Sequence, residues 1–291
     1  HFGKDYPIKY VGHADIIETP AGEWYMVMLA VRPLEGYTTM GRETFLAKVT
    51  WENGWPVVNP GEGKLTDTVE INLPEWDPMT DPTSYTYRTK QKTCVPGSNR
   101  TYDFATMKEL GDEFLFLRNP SANMYALEDT GLALNFGTKT LKEQASPSYV
   151  AIRQQHHNFT VTSTLELANL SKDQSAGLAL VQSNEYQLRV ESDGSMVEVI
   201  LCEKGEDRVV GSGVVNTKEA ELFIRVEGLS AYAGVIADGA EQILANDVDV
   251  RKLSTEVAGG FVGCCVGMYA VSLNGETTDN ANFKKLSYEA K

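Results

Sequence analysis

Few side chains in this sequence have the type and spacing to do chemistry. His13 and Asp15 lie in Gly12-His13-Ala14-Asp15-Ile16-Ile17-Glu18-Thr19, and Arg42 and Glu43 lie in Gly41-Arg42-Glu43-Thr44-Phe45. An imidazole can accept or donate a proton or sit beside a metal. A guanidinium offers a planar fork of donors suited to carboxylates or to paired hydroxyls. Read alone, His13 fits a core histidine bonded to backbone, and Arg42 fits a salt bridge to Glu43 or Glu18. Phe261 follows Gly259-Gly260, a pair that lets a loop approach another surface closely; a place in plain sandwich core competes with that reading. His156 and His157 have no cysteine or carboxylate at a metal-ligand spacing. No Gly-x-Ser-x-Gly elbow, phosphate loop or dinucleotide fingerprint occurs, which leaves serine-nucleophile and nucleotide chemistry without a motif.

The elements that carry these residues read as antiparallel strands. Pro20-Ala21-Gly22 and Asn53-Gly54 supply hairpin turns, the second among the strongest short-range hairpin signals. The run 24–31 is almost wholly apolar, which predicts a strand covered on both faces. Residues 59–104 change character: Pro60, Pro74, Pro78, Pro82 and Pro96 interrupt any long element, and all four tryptophans fall at or before Trp76. That segment reads as a linker with one short strand at Thr68–Leu73. From 105 onward, short strands bounded by Gly, Asn, Asp or Ser recur to the C-terminus. They include Phe114–Arg118 and Phe261–Val271, and Thr106–Asp112 hints at a short helix. Val161, Ser163, Leu165 and Leu167 alternate with Thr160, Thr162, Thr164 and Glu166, as a half-buried strand requires. So many strands without helical periodicity read as a two-sheet sandwich.

These blocks resemble glycoside hydrolase family 43, in its β-xylosidase/α-arabinofuranosidase branch. The front of the chain carries GHADIIET, then GEWYMVML with VRP, then GRETFLAKVTW, then GWPVVNPGEG. The back carries Arg153-Gln154-Gln155-His156, Ala176-Gly177-Leu178 before Tyr186, Gly259-Gly260-Phe261-Val262-Gly263, Gly267-Met268-Tyr269-Ala270, and Ala281-Asn282-Phe283 with Tyr288. Lys284 stands where members often have Asp.

The implied fold is all-β: the C-terminal part of a five-bladed β-propeller (1–58), the Pro-rich linker (59–104), and a concanavalin-A-like, jelly-roll type β-sandwich (105–291). The implied activity is inverting hydrolysis of terminal xylose or arabinofuranose from xylo-oligosaccharides or arabinoxylan fragments. By resemblance, Arg42 reaches sugar hydroxyls in the innermost subsite, and His13 lies on the propeller axis beside the water shell of a structural calcium ion. Phe261 walls the base of the pocket, Arg153–His156 form an interdomain contact, and no organic cofactor is implied. The family's general base, general acid and pKa-tuning carboxylate lie on earlier blades, so Glu43 is not expected to be the acid. The chain begins at His1 rather than Met. The expectation is that those blades, on upstream sequence or a companion N-terminal fragment, are needed for activity and that this chain alone is inactive. A carbohydrate-binding sandwich without its own activity, or a purely structural one, are the competing readings.

At 291 residues with 42% hydrophobic composition the chain can form two domains with real cores, and its net charge of −14 disfavours nucleic acid or an anionic membrane as partner. No apolar run is long enough to span a bilayer. Cys94, Cys202, Cys264 and Cys265 match no metal spacing, and neighbouring strand cysteines face opposite ways, so at most one bridge is expected. Sequons at Asn99, Asn158 and Asn169 point to a secreted glycoprotein.

Overall fold

The computed structural model describes residues 6–19, 21–70, 99–171 and 173–291. Cys94, Trp76 and most of the Pro-rich linker lie outside them, as do residues 71–73 of the expected strand, and Thr68–Glu70 are not in a strand. The chain divides into two compact units. The first holds His1–Gly36 and Gly41–Thr93, the second Tyr37–Met40 and Cys94–Lys291.

The first unit is a four-stranded antiparallel meander, β1 (Lys9–Glu18), β2 (Trp24–Val31), β3 (Glu43–Glu52) and β4 (Trp55–Val58), paired in chain order. The β3–β4 turn has Asn53 at φ 51° and Gly54 at φ 81°, the two positive values a type I′ hairpin requires. Ile8, Met28, Ala30, Ala47 and Leu65 form its small core. The run 24–31 is not covered on both faces, contrary to expectation: buried Tyr25 and Met28 flank Val27, which is 39% exposed. Tyr10, Val11, Ile16, Ile17, Trp51 and Trp55 are also exposed.

The second unit contains β5 (Arg100–Asp103), β6 (Tyr125–Glu128), β7 (Gly131–Asn135), β8 (Ser148–Arg153), β9 (Asn158–Glu166), β10 (Gln174–Ser183) and β11 (Tyr186–Ser192). It continues with β12 (Met196–Glu203), β13 (Glu206–Val214), β14 (Glu219–Glu227), β15 (Ser230–Ala237), β16 (Ala240–Asp249), β17 (Cys265–Ser272) and β18 (Asn280–Ala290). One sheet runs β13-β12-β11-β10-β17-β8. The other runs β16-β15-β14-β9-β18-β7-β6, with β5 also on β18. Residues 100–103, read as linker from the sequence, thus belong to a sheet.

Two other expectations fail. Phe114–Arg118 is an isolated bridge from Leu115 to Ala151 rather than a strand. Of the expected helix Thr106–Asp112, residues 107–112 are not helical. Asp103 instead caps a single 3₁₀ turn at Phe104–Thr106 by accepting from the Ala105 amide.

Alternate residues of both sheets make the main core: Val150, Leu178, Leu188, Val199 and Met268 from one, Phe159, Leu165, Ile224, Val235 and Phe283 from the other. Burial of each such side chain contributes roughly 1.5–3 kcal/mol. The other face of the six-stranded sheet is also covered. Tyr149, Ala179, Val181, Tyr269 and Val271 pack there with Leu141, which is why β8, β10 and β17 read as continuous apolar runs. Two glycines keep the strands together. A Cβ at Gly177 would stand 2.0 Å from the Val190 carbonyl oxygen, and one at Gly267 2.0 Å from that of Val150.

On that face Arg189 is nearly enclosed. Its Nε donates to Glu191 Oε2 at 3.1 Å, Nη2 to Asp207 Oδ2 at 2.9 Å, and Nη1 to Asp207 Oδ1 at 3.2 Å and Gln187 Oε1 at 3.0 Å. Burial works against the guanidinium's charge, yet Glu191 and Asp207 together hold its pKa above the ordinary value. The two carboxylates answer differently. Burial pushes Glu191 up, and Arg189's attraction only partly offsets it. Burial would also raise Asp207, but bonds from Arg189, Cys202 and Lys142 bring it below its ordinary value.

Candidate functional site

The first two hairpins of the first unit each place one of the predicted residues. Along β1 the register slips twice against β2, between Lys9↔Val31 and Gly12↔Leu29, and again between Gly12↔Leu29 and Asp15↔Val27. Each slip puts two residues opposite one. Tyr10 and His13 absorb them in left-handed backbone conformations, at φ 54° and 51°. Such bulges re-aim a side chain and sharpen the strand's twist. His13 is exposed in this chain.

On the other side of β2, Gly41 turns the chain at φ 64° and Arg42 precedes the first residue of β3. Because Ala30 pairs with Glu43 and Leu29 with both Gly12 and Thr44, the register brings His13, across from Met28, and Arg42, just past Ala30, to the same half of the sheet. Arg42 is exposed. Glu18, opposite Trp24, is six positions along β2 from Ala30, about 20 Å at the strand rise, too far for a salt bridge.

Glu43 is committed elsewhere. Arg32 Nη2 donates to Glu43 Oε1 at 2.7 Å and Arg32 Nε to Oε2 at 3.0 Å, a two-pronged pair with both side chains 21% exposed. Both Glu43 carboxylate oxygens are thus engaged by Arg32, within the first unit. Sequence reasoning missed Arg32. Its position just past the strand that pairs with Glu43's own was the available signal.

The described residues bring no three His, Cys, Asp or Glu side chains together in a group that could hold a metal. Calcium takes six to eight oxygen ligands, and His13 offers a nitrogen.

In the second unit, Phe261 is 63% exposed and Val262 53%, so neither belongs to the sandwich core. Gly259 and Gly260 precede them at φ 80° and 72°. Arg153, Gln154 and His156, expected at an interdomain contact, hydrogen-bond within the second unit. Arg153 and Gln154 bind Met40 and Thr39, and His156 Nδ1 lies 3.1 Å from the Tyr288 hydroxyl. Cys202 and Cys264 are buried free thiols and Cys265 a half-buried one. Burial pushes Cys202 up to about 11 and also raises Cys264 and Cys265, which argues against reactive thiolates. Asn99, Asn158 and Asn169 are exposed. Asn158 Oδ1 accepts from the Gly228 amide at 2.7 Å and Asn99 Oδ1 from Ala290 at 3.1 Å.

Residues 101–289 match the beta xylosidase C-terminal concanavalin A-like domain, and residues 1–56 match glycosyl hydrolases family 43. The chain belongs to glycosyl hydrolase family 43, a family of glycosidases, and the sheet β1–β4 is part of its five-bladed propeller. A xylosidase/arabinosidase of Butyrivibrio fibrisolvens is 36% identical over 288 residues, covering 96% of this chain and 52% of the relative. A non-reducing end alpha-L-arabinofuranosidase of Bacteroides ovatus is 31% identical over 291 residues, covering 95% and 50%. A solved structure, the Bacteroides ovatus xyloglucan PUL GH43B protein, superposes with a TM-score of 0.80 at 27% identity over 99% of this chain and 55% of that one. The chain spans about half the length of the curated relatives it matches.

Proposed function

We propose that this chain supplies the sugar-binding side of an inverting exo-glycosidase that removes terminal xylose or arabinofuranose from xylo-oligosaccharides or arabinoxylan fragments. The acid and base carboxylates come from propeller blades outside this chain, on upstream sequence or a companion fragment. The observation that carries the reading is the half of the β1–β4 sheet nearer Val31. Arg42 and His13 are presented there on either side of β2, the nearby Glu43 is bound by Arg32, and exposed apolar residues line the edge strand β1. A long apolar edge strand and a one-sided sheet favour cover by further strands.

In the proposed pocket Arg42 donates to the hydroxyls of the terminal sugar and favours the ionised form of the neighbouring base. One carboxylic acid protonates the leaving oxygen while the base carboxylate draws a proton from a water on the opposite face of the ring. The two stand about 6.5–9.5 Å apart to fit that water. Calcium, where bound, would serve structure alone, and His13 would stand beside its water shell. Phe261 walls the pocket base. Phe261→Ala in the assembled enzyme is expected to raise KM about tenfold with a smaller change in kcat, as loss of a buried apolar contact with the ring would. Unchanged kinetics would reduce the sandwich to a brace.

The proposal also has the chain secreted, with glycans at Asn99, Asn158 and Asn169. Enzymatic removal of N-glycans from the secreted protein should lower its mass and leave Asp at those positions; an unchanged mass contradicts it.

A further inference from the structure

The four residues Tyr37–Met40 lie between β2 and β3 in sequence but belong to the second unit. Thr38 and Thr39 are each 3% exposed and Met40 is fully buried. Six polar groups of this strap are hydrogen-bonded by the sandwich. The Thr38 amide donates to Glu256 Oε2 at 2.6 Å and its hydroxyl to Oε1 at 2.8 Å. The Thr38 carbonyl accepts from the Thr255 amide and the Thr39 carbonyl from the Cys264 amide, both at 3.0 Å. Gln154 Nε2 donates to the Thr39 hydroxyl at 3.3 Å, and Arg153 Nη2 to the Met40 carbonyl at 3.0 Å.

The placement of these bonds matters more than their number. Thr255 and Glu256 begin a one-turn helix, Thr255–Ala258, which opens a loop that Cys264 ends, and the exposed Phe261 and Val262 lie in its outer part. Thr38 is bonded to the outgoing limb and Thr39 to the returning limb. The strap is therefore a crossbar that fixes the width of the loop's base. Gln182 Nε2 adds a third anchor by donating to the Gly259 carbonyl at 2.9 Å. Beyond that anchor Gly260, at φ 72°, supplies backbone freedom next to Phe261. Without the crossbar the two limbs would separate more freely and shift Phe261 with them.

We infer that Glu256 is a positioning residue. Its carboxylate clasps Thr38, and the clasped strap sets the base of the Thr255–Cys264 loop and so the placement of Phe261. The consequence for catalysis rests on the reading of Phe261 given above; the clasp itself does not.

The test uses the full chain, with amide hydrogen exchange followed in peptides covering 36–41 and 254–264. Glu256→Ala removes two charge-assisted bonds and is expected to speed exchange in both peptides about tenfold to a hundredfold, leaving β18 unchanged. Thr38→Val keeps the shape and removes only the hydroxyl bond. It should speed both by about threefold to tenfold, and it carries the test should Glu256→Ala fail to fold. Unchanged exchange in 254–264 overturns the inference, whether or not 36–41 changes. In the assembled enzyme, Glu256→Ala is expected to raise KM more than it lowers kcat, Glu256→Gln to restore part of the loss, and Glu256→Ala to add nothing once Phe261 is alanine. Effects that multiply in that double variant overturn the positioning role. Faster exchange with unchanged kinetics leaves the clasp standing and overturns the pocket role of Phe261.

Discussion

Replacing Arg42 by alanine in the assembled glycosidase is expected to lower kcat/KM about 10²- to 10³-fold, the loss that follows removal of a charged donor aimed at the reacting sugar. Arg42 is exposed just before β3, so the substitution opens no cavity in a core, and the melting temperature should move little. Lysine should restore little, because one ammonium cannot present two donors in a plane. The pH profile separates the roles. A guanidinium beside the base carboxylate holds that group's pKa down; without it the pKa rises, and the acidic limb of kcat/KM moves to higher pH. An arginine serving only the fold would move stability and leave the profile in place.

Arg189→Met should have the largest effect on stability. It leaves Glu191 buried and Asp207 without its main partner, a change that costs about 3–5 kcal/mol. For a unit of this size that is on the order of 10 °C in the melting temperature. The carboxylates should then diverge. Asp207 is held below its ordinary pKa, so its contribution is present above about pH 4 and is lost as pH falls through its folded value. Glu191 is pushed above its ordinary pKa by burial, so its ionisation opposes folding, and stability declines as pH rises from about 4 through its folded value. Denaturant unfolding should therefore find Glu191→Gln as stable as the unmodified chain or more so at pH 7, and Asp207→Asn less stable there. The reverse order at pH 7 would contradict this account of the network.

The fold class was legible because its signals are local. Asn53-Gly54 needs no tertiary help to form its turn, and the alternation from Thr160 to Leu167 describes one face of β9 by itself. The failures came where tertiary structure outweighs local pattern. Phe114–Arg118 is apolar enough for a strand, but only Leu115 finds a partner, in Ala151. Trp24–Val31 looks like a strand with two covers, yet the described residues cover one side of it. Of the candidate site, Arg42, His13 and Phe261 were found through motif blocks. The bulge that turns His13 out was not, because a bulge is a relation between two strands. Thr38 and Glu256 are 218 positions apart, and no short-range signal joins them.

The central claim, that Arg42 and His13 serve a pocket whose carboxylates are encoded elsewhere, is tested most directly by turnover of nitrophenyl β-xyloside and nitrophenyl α-arabinofuranoside. The chain alone should show none. Turnover should appear when the upstream propeller blades are supplied, and fall with Arg42→Ala. Clear turnover by the chain alone, abolished by Glu43→Gln, would contradict the claim and move the acid onto Glu43.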